Sequence, residues 1–418
     1  VRWKRTGICA LNDMVLVPST VVAGGDALAR GDDGKVVFVR GGLPGEAVQV
    51  RVVESKKGFS RAEIVAVLEP SAWRTEPPCS NVARGCGGCQ WQHVTPEGQR
   101  ALKAEIVRDA LRRIAKIPEP PVRETVALPG TDYRTTMRAA VHHGRGGLRR
   151  AGSHEVVDLD LCLVAHPLVE EMLRDGRFGR AQEVELRAGA RTGTRLAMVD
   201  PHAREVHLPG DVVVVGIDEV RAGHPAAYSE VVAGRTWQIS AASFFQARPD
   251  GADELARLVV EAVKPHSTAV DLYCGVGLFA GALSDAGVEV LAAVEGDASS
   301  ARDARVNLAA SGVDVVELDV HRWESPGPID AVVVDPSRNG LGTRGVEAAT
   351  SGGPEAVVLV SCDPAALGRD SQLLGEAGYH LEWVTPVDMF PGTVHVETVG
   401  RFTREPANGQ VTGVESGG

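Results

Sequence analysis

Ala269-Val-Asp-Leu-Tyr-Cys-Gly-Val-Gly277 decides the fold. Ala269 to Tyr273 reads as a buried strand carrying one carboxylate, Asp271. Gly275 and Gly277 follow at a strand-to-helix turn, where a missing Cβ lets the backbone approach a ligand. Working outward, Val288 to Val294 is a strand ending in Glu295, and Ala298 to Ala310 a helix. Val313 to Leu318 ends in Asp319, Ile329 to Val334 in Asp335, and Ala356 to Val360 in Ser361-Cys362. Strand–helix alternation of this kind predicts a parallel, doubly wound sheet across residues 241–404. Such sheets bind ligands outside the carboxyl ends of their strands, which gathers these acids and Cys362 around one crevice.

The glycine turn suits a nucleotide-like cofactor. Ala280 stands where a dinucleotide fingerprint has its third glycine, a replacement that fingerprint tolerates. Glu295 is placed for ribose hydroxyls and Asp319 for an adenine. From the turn alone, an NAD dehydrogenase and a purely structural turn stay open. Ser361-Cys362-Asp363-Pro364 adds a soft nucleophile, and the isolated Glu397 a candidate base, so the sheet is equipped for covalent catalysis on an electrophilic carbon. The plainer alternatives are an inert buried thiol, an Asp363-Pro364 helix cap and a solvated Glu397. Cys274 and Cys9 read as packing.

The chain has 418 residues, enough for two or three domains. It holds no run of 18 apolar residues and no secretory leader, so a cytoplasmic protein without a membrane span is expected. The net charge of -11 conceals an asymmetry: residues 1–150 carry 24 Lys+Arg against 15 Asp+Glu, and the remainder 20 against 40. A basic appendage on an acidic body fits a polyanion-binding module joined to a catalytic domain, although a solvated surface would look similar.

Residues 1–13 read as a tail and 14–70 as a small OB-like β-barrel of short strands split by Gly and Asp turns. Lys56, Lys57 and Arg61 flank Phe59 in its last hairpin, a basic and aromatic pairing that can bind a nucleic acid strand or simply be solvated. Residues 71–240 form a central mixed α/β domain. It opens with a cysteine loop and a helix from Pro96 to Ile117, capped by Thr95 and able to pack on the catalytic domain. A second helix is expected near Pro167 to Arg174. Residues 405–418 are polar and glycine-rich, expected to be disordered. Seven cysteines, an odd number, do not suggest a disulfide framework. Cys79-x6-Cys86-x2-Cys89, with Cys162 downstream, offers four thiolates for structural zinc or a [4Fe–4S] cluster, which the spacing does not separate. Cys162 as a core residue is the alternative, and a radical S-adenosylmethionine enzyme fits the spacing poorly.

Four further motifs stand in order: Ser243-Phe-Phe-Gln246, Asp335-Pro-Ser-Arg338, Ser361-Cys-Asp-Pro364 and His395-Val-Glu-Thr398. With the glycine turn, the β module and the cysteine loop, they resemble the RNA uracil-5-methyltransferases over residues 15 to 403, in particular the iron–sulfur branch that modifies 23S ribosomal RNA. The resemblance implies a TRAM-like N-terminal domain, a class I S-adenosylmethionine-dependent methyltransferase domain and a structured RNA substrate. It implies Cys362 as nucleophile, Glu397 as general base and Asp335 at the uracil or cofactor. Gln246, Asp271, Tyr273, Gly275, Gly277, Leu278, Glu295, Asp319 and Asp335 would hold the cofactor, with Leu278 in place of a polar residue. Cys79, Cys86, Cys89 and Cys162 would hold [4Fe–4S], with one residue more than usual between the first two. A transfer RNA substrate and a non-catalytic RNA-binding or folding factor remain alternatives. A monomer is expected.

Overall fold

The computed structural model describes residues 13–404. Cys9 with the rest of the expected N-terminal tail, and the polar stretch 405–418, lie outside the described residues. Strands β1 (Met14–Leu16), β2 (Thr20–Val21), β3 (Ala27–Arg30), β4 (Val36–Arg40), β5 (Ala47–Ser55) and β6 (Phe59–Glu69) make one sheet in the order β1-β5-β6-β4-β3-β2. Alternate side chains such as Val37, Val39, Val48 and Val50 are buried, as the two-residue period of a strand demands. Gly25, at φ +89°, turns the chain between β2 and β3. A Cβ there would stand 2.2 Å from Val394 Cγ1 and 3.1 Å from Trp91 Nε1, so the β module, the cysteine loop and the catalytic domain meet at this glycine. Gly25→Val is expected to destabilise the protein by about 2 kcal/mol or more, through strain and overpacking together, read as a lowered denaturant midpoint.

Helices α1 (Ser80–Ala83) and α2 (Pro96–Arg113) follow. The Thr95 side chain accepts a hydrogen bond from Gly98 N at 3.2 Å, and Pro96 takes the first helical position. The helix stops short of the expected Ile117: Lys116 turns left-handed (φ 60°) and Ile117 N bonds back to Leu111 O, which turns the chain off the helix end. Buried Val107 and Leu111 of α2 share a core with the catalytic sheet.

The central region contains β7 (Thr136–His142), β8 (Arg145–Arg149), β9 (Val156–Val157), α3 (Pro167–Asp175), β10 (Glu183–Ala188), β11 (Arg195–Asp200), β12 (Val213–Gly216) and α4 (Ile217–Arg221). Its sheet order is β12-β11-β10-β7-β8-β9, packed over Met137, Val169, Met172, Phe178 and Leu186. The hairpin β13 (Ala227–Val232) and β14 (Arg235–Ser240) places Trp237 and Ile239 in the core of the catalytic domain. Helix α5 (Pro249–Val263), which the sequence reading does not name, covers the same core.

The catalytic domain alternates β15 (Thr268–Leu272), α6 (Leu278–Asp285), β16 (Glu289–Glu295), α7 (Ala298–Asn307), β17 (Val315–Glu317), β18 (Ala331–Val334), α8 (Gly342–Thr350), β19 (Ala356–Ser361) and α9 (Pro364–Glu376), then β20 (Tyr379–Val387) and β21 (Glu397–Arg404). Its seven strands run in the order β17-β16-β15-β18-β19-β21-β20. β18 and β19 are buried along their whole length, which is why they read as unbroken apolar runs. One feature departs from a purely parallel sheet: β21 inserts antiparallel between β19 and β20. A strand that enters from the carboxyl edge brings its first residue, not its last, to the ligand side, and that residue is Glu397.

Candidate functional site

At the end of β15 the backbone is bent hard. Tyr273 has φ 62°, Gly275 φ 56° and Gly277 φ 98°, and Gly277 opens α6. The space that a Cβ on Gly275 would occupy is open. Asp271 is fully buried; one carboxylate oxygen accepts from Ala280 N at 2.8 Å and the other has no partner. Burial raises its pKa to about 8, and Asp335 and Glu295 add to the rise. The Tyr273 hydroxyl is also buried and unpartnered. Glu295 accepts from Gly275 N at 2.8 Å and Asp297 N at 2.6 Å, so it braces the turn while each oxygen keeps a free lone pair. Asp319 caps the 3-10 turn Val320–Arg322 through His321 N at 3.0 Å and stays exposed beside Tyr273 and His321. Leu278 buries its side chain in the core, which leaves only its backbone N–H facing the turn. Cys274 is buried in the same core.

Gln246 sits in a loop pinned from below. Ser243 Oγ donates to Asp303 Oδ2 at 2.6 Å, Ser240 N donates to the same carboxylate, and Arg187 binds Ser243 O at 2.7 Å. Phe244 of this loop is exposed and Phe245 buried. The loop after β18, carrying Asp335 and Arg338, is pinned by Asp370, which accepts from Leu341 N and Gly342 N. The sequence reading missed Asp303 and Asp370, because the backbone groups they serve lie in other parts of the chain.

Ser361 pairs with Thr398 across β19 and β21, so Cys362 and Glu397 occupy the next position of the ladder. Thr398 Oγ1 donates to Ser361 O at 3.0 Å and locks that register. Asp335 follows Val334, which pairs with Leu359, so all three groups stand at one edge of the sheet. Burial lifts Cys362 to about 12, and the negative charges of Glu397 and Asp335 push the same way while Arg338 opposes them. Burial also raises Glu397 to about 8, with Asp335 adding and Arg338 opposing, and raises Asp335 to about 7. As residues, Asp335 and Glu397 are each partly buried. Asp363 caps α9 by accepting from Ala366 N at 2.8 Å, so the alternative reading of that motif accounts for Asp363 while leaving Cys362 free.

Cys79, Cys86, Cys89 and Cys162 line one cavity, with Gly88, Gln92, Arg134 and Leu148 among its walls. Among the described residues no three donors yet stand close enough to hold a single metal ion. Burial raises the thiol pKa values of Cys86, Cys162 and Cys89, the last to about 11, and neighbouring sulfurs raise them further. A side chain on Gly87 would meet Ala151 backbone at 3.0 Å, so this loop needs glycine to close around the cavity.

Comparison with known proteins agrees with this geometry. Residues 15–65 match the TRAM domain family. An "Uncharacterized RNA methyltransferase" of Streptomyces avermitilis is 35% identical, over 93% of this chain and 96% of that protein. The 23S rRNA (uracil(1939)-C(5))-methyltransferase RlmD of Shewanella piezotolerans is 31% identical, over 88% of this chain and 91% of that protein. Among solved structures, the Pyrococcus abyssi tRNA (uracil-54, C5)-methyltransferase in complex with S-adenosyl-L-homocysteine shares the fold, with a TM-score of 0.71, 22% identity and coverage of 93% and 99%. A class I methyltransferase sheet with a TRAM domain ahead of it, matched end to end by such relatives, places the chain in the RNA uracil-5-methyltransferase family.

Proposed function

We propose that this enzyme methylates carbon 5 of a specific uridine in 23S ribosomal RNA through a covalent Cys362–uracil adduct. The supporting observation is the adjacent ladder position of Cys362 and Glu397 beside the glycine turn. Carbon 5 of uracil is a poor nucleophile. Cys362 sulfur adds to carbon 6, and the ring electrons move to give an enolate whose carbon 5 accepts a methyl group. Glu397 then removes the carbon 5 proton, the ring double bond re-forms, and the carbon–sulfur bond breaks. Cys362 must lose its proton before it adds; Arg338 favours the thiolate, as would any cationic group in the pocket. Asp335 contacts the uracil or the cofactor, and the base leaves its stack to reach the cleft.

The pocket fits S-adenosylmethionine, which supplies an electrophilic methyl group when bound. The unpartnered Asp271 Oδ1 and Tyr273 hydroxyl and the open space over Gly275 are its reception. Gln246, Gly277, the Leu278 backbone, Glu295, Asp319 and Asp335 complete the set. The basic, aromatic surface around Lys56, Phe59 and Arg61, where Lys56 Nζ lies 5.4 Å from the Phe59 ring centre, meets the RNA. No helix among the described residues is long and apolar enough to cross a membrane. We place the enzyme in the cytoplasm as a monomer, where its RNA is made.

Four thiols around one cavity, Cys162 buried and Cys79, Cys86 and Cys89 half-buried, fit a [4Fe–4S] cluster. The same four thiolates would serve one zinc or a cluster, so metal content separates the two. Anaerobically purified protein is expected to carry about four iron atoms per chain with matching sulfide; one zinc and no iron would contradict this. The RNA itself is tested by mass spectrometry of ribosomal and transfer RNA from a strain lacking the protein. One 23S uridine should lose its methyl group; loss from transfer RNA instead would replace the substrate named here.

A further inference from the structure

The segment 388–396, between β20 and β21, ends one residue before Glu397. Four of its successive carbonyl oxygens each accept a hydrogen bond from outside the catalytic sheet. Arg248 Nη1 donates to Met389 O at 3.0 Å, Lys103 Nζ to Phe390 O at 3.1 Å, the Tyr133 hydroxyl to Pro391 O at 3.2 Å and Trp91 N to Gly392 O at 2.8 Å. Lys103 also pairs with Asp388 at the start of the segment, and both side chains are buried. Gln99 completes the hold: its amide oxygen accepts from Gly392 N at 2.6 Å while its amide nitrogen donates to Trp91 O and Val94 O.

A loop that only joined two strands would not need a wholly buried lysine. Burying an ammonium without partners is strongly unfavourable, and here the carboxylate of Asp388 and the carbonyl of Phe390 replace its water. We propose that Lys103, assisted by Gln99, is a positioning residue for the general base: from α2 it fixes the segment that sets Glu397 against the adduct. This rests on the reading of Glu397 as the base. Lys103 is wholly buried and offers no atom to a ligand at the surface, so its loss should spare addition and methyl transfer and stall the final proton removal.

The test compares wild type, Lys103→Met and Glu397→Gln as full chains. Each is incubated with S-adenosylmethionine and with whichever unmodified transcript, 23S rRNA or transfer RNA, the wild type methylates. For Lys103→Met we expect kcat to fall about 30-fold or more, the single-turnover rate of methyl transfer to stay within about threefold of wild type, and methylated protein–RNA adduct on ordinary uridine to accumulate about tenfold over wild type, as for Glu397→Gln. Adduct with Glu397→Gln but none with Lys103→Met overturns the positioning role. Adduct with neither overturns the base assignment, and the inference falls with it. Unchanged kcat in Lys103→Met also overturns it. If Lys103→Met does not fold, Gln99→Ala decides by the same readings, since it keeps the buried ion pair and removes the Gly392 latch together with the bonds to Trp91 O and Val94 O.

Discussion

Replacing Cys362 with alanine is expected to abolish both adduct and methylation, with single-turnover methyl transfer falling on the order of 10⁴-fold or more. Carbon 5 has no other route to nucleophilic character, and the remaining sulfurs are elsewhere: Cys274 is sealed in the core and the other four described cysteines line a separate cavity. RNA and cofactor binding should be nearly unchanged, because Cys362 supplies no hydrogen bond that holds the pocket together. The removed side chain is half-buried at a strand end, so the variant should fold. Filter binding and a rapid-quench methylation assay separate the two effects.

Glu397→Gln is expected to have the opposite signature: loss of turnover with gain of adduct. Glutamine keeps the shape of the side chain but cannot take the carbon 5 proton, so methylated uracil stays bonded to sulfur. Turnover should fall by about 10²- to 10⁴-fold, the range for a lost general base. The same carboxyl group sets a pH profile. Its pKa is raised to about 8 by burial and by Asp335. A base works only when deprotonated, so kcat, which includes the release step, should be low in mild acid and climb as pH rises through the region near 8. In Glu397→Gln that rise should vanish from the release step. A base poised near the working pH balances the fraction ionised against the strength of proton removal.

The parallel part of the sheet was legible because its signals are local. Ala269 to Gly277 carries strand, acid and turn within nine residues, and Ala356 to Cys362 carries a buried strand and its reactive end. The insertion of β21 was not legible. Its direction depends on pairing with β19 from the far side of a helix and a further strand, and Glu397 by itself reads as an isolated acid, marked only by the motif resemblance at residues 395–398. The same holds for the anchors. Asp303 and Asp370 look like ordinary acids of helices until the loops they hold are in place. Lys103 was the most deceptive. The helical period assigns Leu102, Ile106 and Ala110 to the buried face, and a charged neighbour reads as solvated. Its partners, Asp388 and Phe390, come from the other end of the chain, so only the assembled domains explain its burial. The four cysteines of the shared cavity lie between these extremes: three are marked by spacing, Cys162 reads equally as a fourth thiolate or a core residue, and the fold brings it to the same cavity.

The most direct test of the covalent mechanism is mass spectrometry of the protein after reaction with 5-fluorouridine RNA and S-adenosylmethionine. Fluorine cannot leave carbon 5 as a proton does, so the reaction should halt with the peptide spanning Cys362 carrying a methylated fluorouridine nucleotide. An unmodified Cys362 peptide, from enzyme that binds this RNA and methylates the ordinary uridine form, would contradict the account.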